Sequence, residues 1–217
     1  MTLETITQFI EKARQQEAGN GHFRRTMAER LEELHGIVRV DGDQHVENLL
    51  QFGIEYIETA PQLIECVSIC ARNAGVEELF KPFIEAAIGY FTNPSILLSH
   101  YDGLDGLLIK AYLCHRLMEE MYENNRSFRN SNLVDMDATL ANLLAHHLIG
   151  EPFANELDQS ILITVRQIAG TPDYYDLNLS PFVEQASDSA WDWMRDHWMN
   201  LLASNGIRFH FAHRAGL

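Results

Sequence analysis

The sequence predicts an all-α fold: a single-domain bundle of about eight helices arranged around a central helix near 103–124. Three observations predict it. Apolar residues recur at three- and four-residue steps through most of the chain, the period of a helix buried along one face. Few segments have strand character. No internal repeat, low-complexity tract or long linker divides the 217 residues, which suffice for one sizeable core.

The elements follow in order. Leu3, Ile6, Ile10 and Ala13 form a narrow stripe on a peripheral N-terminal helix (about 3–18), ended by Gly19-Asn20-Gly21. Such a helix suits a partner contact. The second helix (about 22–38) has Phe23, Met27, Leu31, Leu34 and Val38 as its inner face. Asp43 is the expected N-cap of the third (about 44–59), which buries Leu49, Tyr56 and Ile57. Pro61 is expected to open a fourth helix, since proline is favoured in a first turn. It buries Leu63, Cys66, Val67 and Cys70 and stops at Gly75. A helix over about 76–91 carries Leu79, Phe83 and Ala87, with a kink or offset start at Pro82.

Asp102 is the expected N-cap of the central helix, with Asp105 at the positive end of its dipole. Leu104, Leu107, Leu108, Ala111, Met118 and Tyr122 make its wide stripe. The segment NNRSFRNSN (124–132) reads as a surface loop. Helices over about 135–149 and up to Ala169 follow. Ser180-Pro181 opens a last long helix that ends near Asn205-Gly206. The tail 207–217 alternates like a short strand but has no obvious strand partner. It is expected to be irregular and to cover the bundle.

The formal net charge is −15, from 16 basic and 31 acidic residues. Such a surface repels nucleic-acid phosphates, and no basic patch interrupts it. No apolar run approaches the roughly 18 residues of a bilayer span. Cys66, Cys70 and Cys114 include no CxxC pair, and MTLETITQFIEKARQQ does not read as a secretory signal. A reducing, cytoplasmic setting with the thiols as small core residues is expected.

Phosphate-binding loops, the GxSxG elbow and the HExxH zinc helix are all missing. The readable chemistry therefore lies in histidines and carboxylates on helices. His115 and Glu119, four residues apart, project from one side of the central helix. That spacing lets nitrogen and oxygen donors share one divalent metal, or lets the carboxylate orient the imidazole for acid–base work. Packing alone is the simpler reading of the pair: a semi-buried histidine bonded to a glutamate. His147 falls on the apolar face of its own helix and is expected to meet His115 in the interior; a core histidine bonded to a carbonyl is the competing reading. Tyr112 and Tyr122 would lie beside such a pocket.

Glu32 and His35 have ExxH spacing, but the helical wheel places His35 at the edge of the apolar stripe and Glu32 further out. A ferritin-like site needs inward carboxylates from four helices. Only Glu119, with Glu184 as a second, suggests itself. Length and helix count suit a ferritin-like or a haem-oxygenase-like architecture by analogy only.

Two functional expectations stand side by side. In one, His115, Glu119 and His147 hold iron or another divalent transition metal, or line a small-ligand pocket; the protein would at most be a metal-dependent oxidoreductase. In the other, the chain is a non-catalytic interaction protein or homodimer whose acidic surface steers partners. A third expectation, an apolar ligand in the core, needs no metal.

Overall fold

The computed structural model of the chain describes residues 3–93, 98, 101–123, 136–169, 182, 184 and 189–210. Among these are eight helices: α1 (Leu3–Asn20), α2 (His22–Leu34), α3 (His45–Asn73), α4 (Glu77–Thr92), α5 (Gly103–Glu123), α6 (Met136–Ile149), α7 (Phe153–Ala169) and α8 (Ser189–Ser204). The described residues also form two short strands, β1 (Val38–Val40) and β2 (Ile207–Phe209). None of the described helices is long and apolar enough to cross a membrane.

The all-α bundle is as the periodicity predicts, and α5 is its axis. It packs against α1, α3, α4, α6 and α7. Residues 106–109, 111–115 and 117–121 are all buried. A helix enclosed on most sides buries several of the polar residues it carries, and this is what sets up the site described below. On the far side of α3, α2 and α8 close the core. Ile6, Ile10 and Ala13 of α1 are buried against α5 and α3, so α1 belongs to the core on its inner face. Gly21, in the left-handed region at φ 59°, lets the chain reverse between α1 and α2.

Three local expectations are corrected. Pro61 does not open a helix: α3 runs unbroken through it for 29 residues. A proline inside a helix costs about 3 kcal/mol. The continuous buried face from Tyr56, Ile57 and Ala60 to Leu63, Ile64 and Val67 offsets that cost. The N-cap of α3 is Gln44, without a side-chain cap bond, rather than Asp43. Finally, α2 stops at Leu34, and Val38 belongs to a strand.

The partner of that strand is the start of the tail. β1 and β2 are antiparallel, with Val38 opposite Phe209, Arg39 opposite Arg208 and Val40 opposite Ile207. Val38, Val40 and Ile207 are buried while Arg39 and Arg208 point outward, the alternation expected of a ribbon with one face on the core. The loop expected at 124–132, the Ser180-Pro181 start and the tail beyond His210 lie outside the described residues.

Candidate functional site: a buried ionic cluster opening into a cleft

Arg116 is where the polar residues of α5 converge. Its Nη1 donates to Glu119, its Nη2 to Glu120 Oε1 at 2.6 Å, and its Nε to Asp158 Oδ1 of α7 at 3.2 Å. The two glutamates sit three and four positions along the same helix, where side chains of one face meet. Both are almost fully buried, and Arg116 is mostly so. Burial disfavours the guanidinium's charge. The field of Glu119, the hydrogen bond to it and the field of Asp158 outweigh this, so the pKa of Arg116 is raised and it stays ionised.

The hydrogen bonds continue on both sides. Tyr112 Oη donates to Asp158 Oδ1 at 2.6 Å, and His146 Nε2 lies 3.5 Å from Asp158 Oδ2. Toward the interior, Asn142 Nδ2 donates to Glu119 Oε2 at 2.7 Å, and Tyr56 Oη donates to Asn142 Oδ1 at 2.8 Å. Burial raises the pKa of both tyrosines well above 10, with the hydrogen bond to Asp158 adding to the effect at Tyr112 and the field of Tyr112 adding to it at Tyr56. Both therefore remain donors. Tyr112, Arg116, Glu119, Thr139, Asn142, Leu143, His146 and Asp158 line a cleft of about 240 Å³. This is a set of fixed donors and acceptors in a partly desolvated wall, the kind of surface that recognises a polar ligand.

The residues predicted from sequence divide. Glu119 and Tyr112 are in the cleft wall. Tyr122 is in α5, but its side chain is outside the described residues. His115 is fully buried yet faces the core instead. Its Nε2 lies 3.2 Å from the Tyr56 carbonyl oxygen, which makes Nε2 the protonated nitrogen. Its ring packs on Tyr56 at 4.4 Å and on Trp198 at 5.6 Å. Its Nδ1 is buried with no hydrogen-bond partner among the described residues. Burial pushes its pKa down to about 3, with a smaller contribution from His197, against the hydrogen bond to Tyr56.

Glu119 does not bond His115: Arg116 and Asn142 hold its carboxylate. His147 meets the ring of His146, edge-on at 5.8 Å, and burial followed by His146 lowers its pKa. His146, one position along, is the histidine at the cleft. Among the described residues no three His, Cys, Asp or Glu side chains form a group that could hold a metal ion. The expected set of His115, Glu119 and His147 is thus not brought together, because consecutive turns of α5 send His115 and Glu119 to different neighbours. Ferritin-like ligation is not assembled among the described residues either. The buried carboxylates among the described residues, Glu119 and Glu120, share one helix, and Glu184 is exposed.

Sequence reading overlooked Arg116, Glu120, Asn142, His146 and Asp158. The run Arg116-Leu117-Met118-Glu119-Glu120 was a usable signal, since one arginine at both i+3 and i+4 from glutamates marks an ionic cluster. Asp158 and Asn142 gave none, because only the packing of α6 and α7 on α5 brings them there. Compared with known family models, curated proteins and solved structures, the chain matches none.

Proposed function

We propose that the chain is a binding protein for a small organic cation with an apolar body, held in the cleft around Arg116 and Asp158. The carrying observation is the charge of the lining. Among the described lining residues, and with histidine counted neutral, Glu119 and Asp158 are set against Arg116, two negative charges to one positive, and Glu120 draws on the same guanidinium. Glu123, one turn on, registers that field: burial raises its pKa, and the charges of Glu119 and Glu120 raise it further. A bound ammonium group relieves this excess in a site where water does so poorly. Leu143, 41% exposed, is one of four large apolar residues exposed among those described, and it lines this cleft. It supplies contact for an apolar body. The volume lies below the roughly 300–1,000 Å³ of drug-sized sites, which selects a small amine.

Calorimetric titration with benzylamine, and with benzyl alcohol as its neutral counterpart, tests this reading. The amine is expected to bind saturably, about tenfold or more tighter than the alcohol. Asp158→Asn keeps an acceptor for Tyr112 and removes one charge, and is expected to weaken the amine by a similar factor. Equal binding of amine and alcohol, or an unchanged affinity in Asp158→Asn, overturns the proposal. Binding of Mn²⁺ without binding of the amine replaces it with a metal site.

A further inference from the structure

A second cleft, on another side of α5, has the opposite chemistry. It measures about 610 Å³ and lies among α1, the end of α4 and the start of α5. Lys12 and Lys110 line it, two of the three lysines in the chain. Among the described residues one lining carboxylate, Asp102, stands against them, so this described wall is net positive by one in a protein of formal charge −15. Among the described residues neither lysine has an ion-pair partner, whereas Arg14, Arg24, Arg30, Arg72, Arg116 and Arg208 each meet an acid. Lys110 Nζ donates to the Phe91 carbonyl oxygen at 3.3 Å, where it caps α4. An ammonium has three donors, so that contact leaves two for a ligand.

The aromatic residues point the same way. Of the four large apolar residues exposed among those described, two, Phe9 at 40% and Tyr101 at 39%, line this one cleft. Exposed rings gathered around a concavity mark binding surfaces more often than scattered ones do.

We propose that this cleft binds a small aromatic anion, its ring against Phe9 and Tyr101 and its phosphate, sulfonate or carboxylate group on Lys12 and Lys110. The site is independent of the Arg116 cleft, and either can fail without the other. Burial lowers the pKa of Lys110, a penalty on its charge that a bound anion relieves.

The test uses 1-naphthyl phosphate titrated into the full chain, with 1-naphthol as the uncharged counterpart. The phosphate is expected to bind one to one, and the naphthol about tenfold or more weaker. Lys12→Glu is an exposed substitution, checked for fold by circular dichroism. It is expected to weaken the phosphate at least about tenfold, and Lys12→Arg to preserve its affinity. Lys81→Glu, at an exposed lysine that lines neither cleft, is expected to leave it unchanged. Absence of saturable binding, equal binding of the naphthol, or an unaffected Lys12→Glu variant overturns the proposal.

Discussion

Protonating His115 has a calculable effect on stability. The folded chain holds this imidazole neutral, with a pKa of about 3 against an ordinary 6.5. The sign follows directly. Below 6.5 the unfolded chain takes up a proton that the folded chain refuses, so stability is fully present above that value and is lost as pH falls toward 3. At pH 5 the loss is RT ln(1 + 10^1.5), or about 2 kcal/mol. For a chain of this length that corresponds to about 4–8 °C in Tm. Other groups titrate over the same range, so the informative quantity is a difference between variants. His115→Phe keeps a ring between Tyr56 and Trp198 and cannot be protonated. The stability difference between wild type and His115→Phe, from urea denaturation, should therefore change by about 2 kcal/mol between pH 7.5 and pH 5, in favour of the variant at the lower pH. His197 contributes to the field at His115 but remains in both proteins. Curves that stay parallel over this interval refute the burial argument and place His115 in contact with water or a compensating acid.

Two further perturbations test the ionic cluster and the packing of α5. Arg116→Met leaves Glu119 and Glu120 buried without their cation, and is expected to cost about 3–5 kcal/mol, read as a fall of about 6–20 °C in Tm by thermal denaturation; a loss below about 1 kcal/mol would show the cluster to be solvated. Gly106→Ala would set a methyl 2.5 Å from the Tyr101 carbonyl oxygen, whereas nothing lies within 4 Å of the same change at Gly19 in α1. The first is expected to destabilise by about 1–3 kcal/mol and the second to be neutral or to stabilise slightly, both by urea denaturation; equal effects would remove the close approach at Gly106.

What sequence could convey here depended on the range of the interaction. Helices announce themselves by local period, so α1, α4 and α5 were legible to within a residue or two. Pro61 misled because local propensity and tertiary packing disagree there, and the apolar face on both sides of it prevails. The β1–β2 pair was invisible for a different reason. Each strand is three residues long, and its partner lies at the other end of the chain. At the site, inwardness was read correctly for His115 and Glu119, but a shared helix face did not mean a shared neighbour. His115 turns to Tyr56 of α3, while Glu119 turns to Asn142 of α6. Helical spacing fixes direction from one axis only, and the facing residues come from packing that no period encodes.

The small ribbon also bears on the order of assembly. Val38 pairs with Phe209 across roughly 170 intervening residues, and closing so long a loop costs about 4–5 kcal/mol beyond a constant term. Six residues of strand cannot meet that cost unaided. The ribbon must therefore form late, after the helices between have docked and brought its halves together. During synthesis on the ribosome, Val38 and Val40 wait without their partner until Ile207 has emerged. A probe placed on this pair would report the final closure of the chain rather than its collapse.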